Sequence, residues 1–124
     1  MNYFISLILL LALDAVWLGF MVNRFYKPNI EHLMGSSINF AAAAIFYLVY
    51  TFGVTYLITS ESAEKPLWNI FLSGAVLGLT AYATYNLTNQ ATLKDWPTLV
   101  TIVDSTWGAL LTGLVSVGTV WIAR

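Results

Sequence analysis

Cysteine is absent from this chain and histidine occurs once, as His32. The first absence excludes disulfides, thiolate metal sites, iron–sulfur clusters and thiol nucleophiles. The second excludes a multi-histidine metal centre within one chain. No metal site is expected, and no residue pattern identifies a cofactor. Charge is also scarce. Five Lys and Arg and six Asp and Glu make up 9% of the 124 residues, with a net charge of -1. A soluble domain usually carries about 25% charged residues, and a surface this poor in charge would aggregate in water. With no Lys/Arg cluster there is no electrostatic footprint for nucleic acid. There is no Gly-rich phosphate loop, no HExxH and no carboxylate–His spacing for a di-iron site, and no nucleophile–base–acid set is visible.

Apolar sequence takes the place of charge: 59% of residues are hydrophobic, with a mean hydropathy of +0.76. Four apolar runs stand out, at residues 3–22, 38–58, 67–87 and 98–122. Each has the length, about 20 residues, that crosses a hydrocarbon core of about 30 Å at 1.5 Å per residue. In lipid every backbone amide must be paired within its own segment or in a closed barrel. The runs lack period-2 alternation, so helices are expected. The expected fold is all-α: residues 1–124 form a single transmembrane domain, a four-helix bundle with short loops and both termini on the same side. The first run is read as a retained helix rather than a signal peptide, because no Lys or Arg precedes it and Asp14 interrupts it.

The longest connection, Asn23 to Ser37, contains Pro28, a good first helical residue, and Gly35, a good stop. A short helix over 28–34, lying on the membrane surface, is expected there. Tyr3, Tyr26, Trp68, Trp96 and Trp121 fall near helix ends, where amphipathic rings favour the headgroup region. The termini and Lys65 share side one; Arg24, Lys27 and Lys94 share side two. The positive-inside count of two against three leans toward a cytoplasmic side two.

Charge inside the membrane is the main clue to function, because it costs about 2.5–3.5 kcal/mol at mid-bilayer on insertion scales. Two carboxyl groups qualify, and each opens the same pattern: Asp14-x-x-Trp17 and Asp104-x-x-Trp107. The i,i+3 spacing puts Asp and Trp on one helix face. Asp14 precedes Val22 by eight residues and Asp104 follows Trp96 by eight, so both should lie about 12 Å from the side-two end of their helices. The third run is most polar at the same end, where Tyr82, Tyr85, Asn86 and Asn89 form an i, i+3, i+4, i+7 stripe. The expected polar cluster is therefore Asp14, Asp104, Tyr82, Tyr85 and Asn86, walled by Trp17 and Trp107, with Asn39 and Asn89 near its mouth. Asn86-Leu87-Thr88 has the form of a glycosylation acceptor, and its position at a helix end makes that accidental. Gly74-x-x-x-Gly78 is a small-residue packing pattern. Thr101, Ser105, Gly108, Thr112 and Ser116 form a second small stripe. Either could pack helices within the bundle or between chains.

Several segments together resemble a known family: LDAVWLG at 13–19, the RFY that follows at 24–26, FYLVYTFG at 46–53, YATYNLTNQATLKDWP at 82–97 and VDSTWG at 103–108. They resemble the small bacterial membrane proteins of family DUF2177, over nearly the whole chain. The resemblance implies a four-helix membrane topology, multi-pass in the bacterial inner (plasma) membrane, and no established activity. It also implies Asp more often than Asn at the position of Asn86. This chain then has one carboxylate fewer, which weakens any three-carboxylate metal site.

Asp14 and Asp104 have two readings at this level, as structural acceptors for Trp, Tyr and Asn donors or as functional groups. Three functions are open, of which the accessory role leaves the two carboxyl groups structural. One is binding of a small apolar or amphipathic molecule, such as a lipid, isoprenoid or pigment, among Trp17, Tyr82, Tyr85 and Trp107. Another is an accessory role in a larger membrane complex or a homo-oligomer. The last is a membrane-embedded enzyme or proton-linked carrier with Asp14 and Asp104 as an acid/base pair.

Overall fold

The computed structural model describes residues 2–35, 37–61 and 64–124; residues 62 and 63, in the connection between the second and third runs, lie outside it. Four helices are long and apolar enough to cross a membrane. The first begins as α1 (Asn2–Met21). The others are α3 (Phe40–Leu57), α4 (Leu67–Thr92) and α5 (Thr98–Ala123). Between α1 and α3 lies the four-residue α2 (Lys27–Ile30). The main helices run 18 to 26 residues, about 27–39 Å at 1.5 Å per residue, which matches or exceeds the hydrocarbon core.

Helix ends follow local chemistry. Asn39 caps α3 by accepting a 3.0 Å hydrogen bond from the Ala42 amide, so one amide lacking an intrahelical acceptor is satisfied. Pro66 and Pro97 precede α4 and α5 in extended conformation, where the missing N–H of proline costs nothing. The turn between these two helices is closed by Asp95, whose φ of 61° is a left-handed conformation that Asp tolerates better than most residues.

The structure departs from the expected loop after α1. The backbone stays helical to Leu33, passing through a π-helical turn at Val22–Tyr26, then α2 and a 3-10 turn at Glu31–Leu33. Pro28 supplies the reason. It has no N–H for the Arg24 carbonyl and its ring crowds that carbonyl, so the regular ladder cannot continue. The widened turn just before it instead bonds the Lys27 amide to the Val22 carbonyl. Pro28 thus sits in the first turn of a helix, as its chemistry favours, but that helix continues α1.

α5 is the hub. It packs along α4 and against α1, while α3 packs against α1 and has no extensive interface with α4. Glycine sets the α4–α5 approach. A Cβ on Gly78 would lie 2.1 Å from the Gly108 carbonyl oxygen, and one on Gly74 would lie 2.7 Å from the Thr112 carbonyl oxygen. Such contact matters in lipid, where dispersion and interhelical hydrogen bonds hold helices together. Both small-residue patterns in the sequence, on α4 and on α5, therefore meet each other inside this chain. The buried Ser6 and Thr119 hydroxyls, 2.9 Å apart, join α1 to α5. At the side-one end, Asn2 donates to the Thr59 carbonyl at 3.1 Å and Arg124 to the Lys65 carbonyl. Both ends of the chain thus lie beside the α3–α4 connection, as four crossings require.

Candidate functional site

The two Asp-x-x-Trp patterns meet face to face. α1 and α5 run antiparallel, so their patterns are turned end for end and the Asp of each faces the Trp of the other. Trp107 Nε1 donates to Asp14 Oδ1 at 3.1 Å. The reverse pair is bridged: Trp17 Nε1 donates to the Tyr26 hydroxyl at 3.0 Å, and Tyr26 donates to Asp104 Oδ1 at 2.6 Å. Between these links the two indoles stack, with centroids 4.3 Å apart and planes 4° from parallel. The shared depth expected for the two carboxyl groups is what this stacking requires.

Each carboxyl has a second donor from another helix. Tyr47 on α3 donates to Asp14 Oδ2. Asn86 on α4 donates to Asp104 Oδ2 at 2.7 Å, and the same amide nitrogen donates to the Tyr82 carbonyl at 2.8 Å. All four carboxyl oxygens thus accept a hydrogen bond, and every donor is a neutral group. Such bonds are what make a buried carboxyl tolerable. An ionised carboxylate offers about four acceptor positions, so two remain on each. Asp14 is only 6% exposed, whereas Asp104 is half-buried and reaches open space.

That space has two parts. A cavity of about 230 Å³ lies over the stacked indoles, lined by Asp14, Asp104, Tyr26, Tyr82, Tyr85 and Trp96 among others. A second, of about 490 Å³, opens between α3 and α4, lined by Phe46, Tyr50, Ala81, Tyr82, Tyr85 and Asp104. Asp104, Tyr82 and Tyr85 belong to both. Farther along the same seam a purely lateral groove of about 530 Å³ is lined mainly by Leu57, Ile58, Leu72, Val76 and Leu77. The α3–α4 seam, bridged by the Tyr50–Tyr82 ring contact, therefore holds two openings in line. It is apolar toward side one and carries a carboxyl toward side two.

Of the residues expected in the cluster, Asp14, Trp17, Tyr82, Tyr85, Asp104 and Trp107 line the cavity over the indoles. Asn86 is wholly buried beneath it and braces Asp104, a position closed to any glycosylating enzyme. The Tyr82 ring lies against Gly108, where a Cβ would fall 2.1 Å from its Cγ, and meets Tyr50 edge to face. Tyr85 is exposed and edge-on to Trp96. Asn39 is the α3 cap rather than part of the cluster. Gly74, Gly78 and Gly108 all lie in the α4–α5 contact or under Tyr82.

Three tyrosines were not legible as cluster members. Tyr26 reads as an interfacial anchor, yet it is 9% exposed and holds the network together; the π-helical turn redirects it inward. Tyr47 supplies Asp14. Tyr50 bonds the Thr112 hydroxyl at 2.6 Å and carries α3 to α5. The spacing of 47 and 50, which shares a helix face, was the available signal. Trp68 and Trp121 remain exposed at helix ends as anchors would. Trp96 instead donates to Thr101, which donates to Gln90, closing the side-two end of the α4–α5 pair.

Four membrane-length helices around a buried carboxyl–aromatic network define a small multi-pass membrane protein. The chain belongs to the DUF2177 family of predicted membrane proteins, whose family model matches residues 1–121. No curated protein and no solved structure gives a significant match.

Proposed function

We propose that this protein, in a bacterial inner membrane, binds one small amphipathic molecule that enters sideways from the lipid through the α3–α4 seam. One observation carries the reading: the seam is open, apolar along one stretch, and ends on Asp104 and the aromatic walls of Tyr82 and Tyr85. Binding sites combine apolar walls with a few convergent polar groups in volumes of about 300–1,000 Å³, and the seam has that composition and scale. Leu72 and Tyr85 mark its two ends on α4, thirteen residues and about 20 Å apart, room for a tail beneath a polar head. The accessory-subunit reading loses its packing argument, since the small-residue stripes are used within the chain. An acid/base enzyme or proton-linked carrier would use the same two carboxyl groups, and a chain isolated bare would favour it.

The test is native mass spectrometry of protein extracted gently from its own membrane. A bound small molecule is expected on the wild type. It should be lost from Asp104→Ala and from Ala81→Trp, which fills the seam and leaves both carboxyl groups in the sequence. A wild-type chain that is bare, or a molecule retained by both variants, would overturn the proposal.

A further inference from the structure

Resting on the seam reading, we infer that the polar head of the bound molecule is an ammonium group carried on an apolar chain. The argument is one of charge and donor balance around the cavity. Among the described residues, no Lys, Arg or His lines either the cavity over the indoles or the opening onto Asp104. The polar groups that do are carboxyl oxygens, tyrosine hydroxyls, which donate as well as accept, and indole N–H groups already given to other acceptors. The carboxyl oxygens receive only neutral donors and keep further acceptor capacity. The Asn86 side-chain oxygen is a further acceptor nearby, beneath the cavity rather than on its wall. It is fully buried and has no hydrogen-bond partner. Its orientation is fixed, because the amide nitrogen faces two acceptors, the Tyr82 carbonyl and Asp104; a reversed amide would set oxygen against oxygen. An acceptor without a donor thus lies within one amide group of Asp104. The walls are electron-rich rings: Trp17, Trp107 and Trp96 with Tyr82 and Tyr85. Aromatic faces joined to a carboxylate are how proteins hold ammonium groups. An anionic head would face two acid groups with no cation beside them, and a neutral alcohol would make no more than an ordinary hydrogen bond to either, weaker than a charge-assisted one. The apolar stretch of the seam accounts for the chain.

The inference is tested with the purified full chain in maltoside micelles, by titration with four probes: hexadecyltrimethylammonium, hexadecanol, hexadecyl sulfate and tetramethylammonium. Saturable quenching of tryptophan fluorescence reports occupancy. The expected result is that hexadecyltrimethylammonium binds at least tenfold more tightly than hexadecanol, with no saturable binding of the sulfate. Asp104→Asn should bring the ammonium and alcohol within about twofold of each other while alcohol binding persists. Micelle partitioning cancels in that comparison. Tyr85→Leu, an exposed position that gives up an edge contact with Trp96, should reduce the ammonium preference about threefold, the scale of one exposed cation–π contact; it tests the same point if Asp104→Asn does not fold. Equal affinity of wild type for ammonium and alcohol overturns the ammonium inference and leaves the seam reading intact. Failure of every long-chain probe overturns the seam reading itself. Tetramethylammonium binding as tightly as the long-chain ammonium would overturn the lipid-borne source and assign the site to a free amine.

Discussion

Tyr47 and Trp107 place one donor on each oxygen of Asp14, and the sequence neighbours of that Asp supply neither. Removing a donor from a buried acceptor leaves most of its desolvation cost in place, even though a single interhelical bond in a membrane is worth only about 0.6 kcal/mol on average. Tyr47→Phe is therefore expected to lower stability by about 1–2 kcal/mol, read as a reduced midpoint of thermal unfolding in detergent. Tyr56→Phe, on the same helix but 69% exposed, should leave the midpoint unchanged; equal effects would show that the Asp14 bond contributes nothing specific. The stacked indoles give a second readout. Rings 4.3 Å apart and nearly parallel should couple electronically and produce a paired positive and negative band in the far-ultraviolet circular dichroism spectrum. Trp17→Phe and Trp107→Phe should each abolish that pair of bands, whereas Trp121→Phe should not.

Close approach of α4 and α5 depends on the absence of side chains at a few positions, which divides the glycines sharply. Gly78→Ala would drive a Cβ into the Gly108 backbone oxygen, contact that neither rotamer change nor a flexible neighbour can relieve. The expected cost is about 1–3 kcal/mol or more. Gly53 on α3 has nothing within 4 Å of its Cβ position, so Gly53→Ala removes only glycine's intrinsic penalty in a helix. It should be neutral or stabilising, by up to about 1 kcal/mol. Chemical or thermal denaturation of the two variants side by side checks the contrast. A tolerated Gly78→Ala would mean that α4 and α5 sit farther apart than described. The π-helical turn belongs to this scale as well. By continuing α1 instead of ending it, Pro28 and the turn before it deliver Tyr26 to Asp104 from a segment whose composition resembles a loop.

Across the whole molecule, the absence of cysteine makes single-cysteine labelling clean. Cysteines introduced at Asn2 and Arg124 should react with a membrane-impermeant maleimide from one face only. Cysteines at Lys27 and Lys94 should react only from the opposite face. The larger share of basic residues on that second face predicts it to be cytoplasmic, and labelling of intact cells against broken membranes decides this. Reaction of Asn2 and Arg124 variants from opposite faces would contradict a four-crossing topology. Some of this architecture could be read directly from the amino-acid order. The number of helices, their lengths, the common side of the termini and the matched depth of Asp14 and Asp104 all depend on hydrophobic length and on backbone pairing in lipid, which are properties of each segment alone. Which donor meets which carboxyl could not be read. In a bilayer the outward face of a helix is as apolar as the inward one, so hydrophobic pattern does not encode how the helix is rotated. The roles of Tyr26, Tyr47 and Tyr50, and the open seam between α3 and α4, were decided by tertiary structure: by glycines that pull α4 onto α5, by a π-helical turn that redirects one tyrosine, and by the packing of α3 on α1 that leaves α4 uncovered.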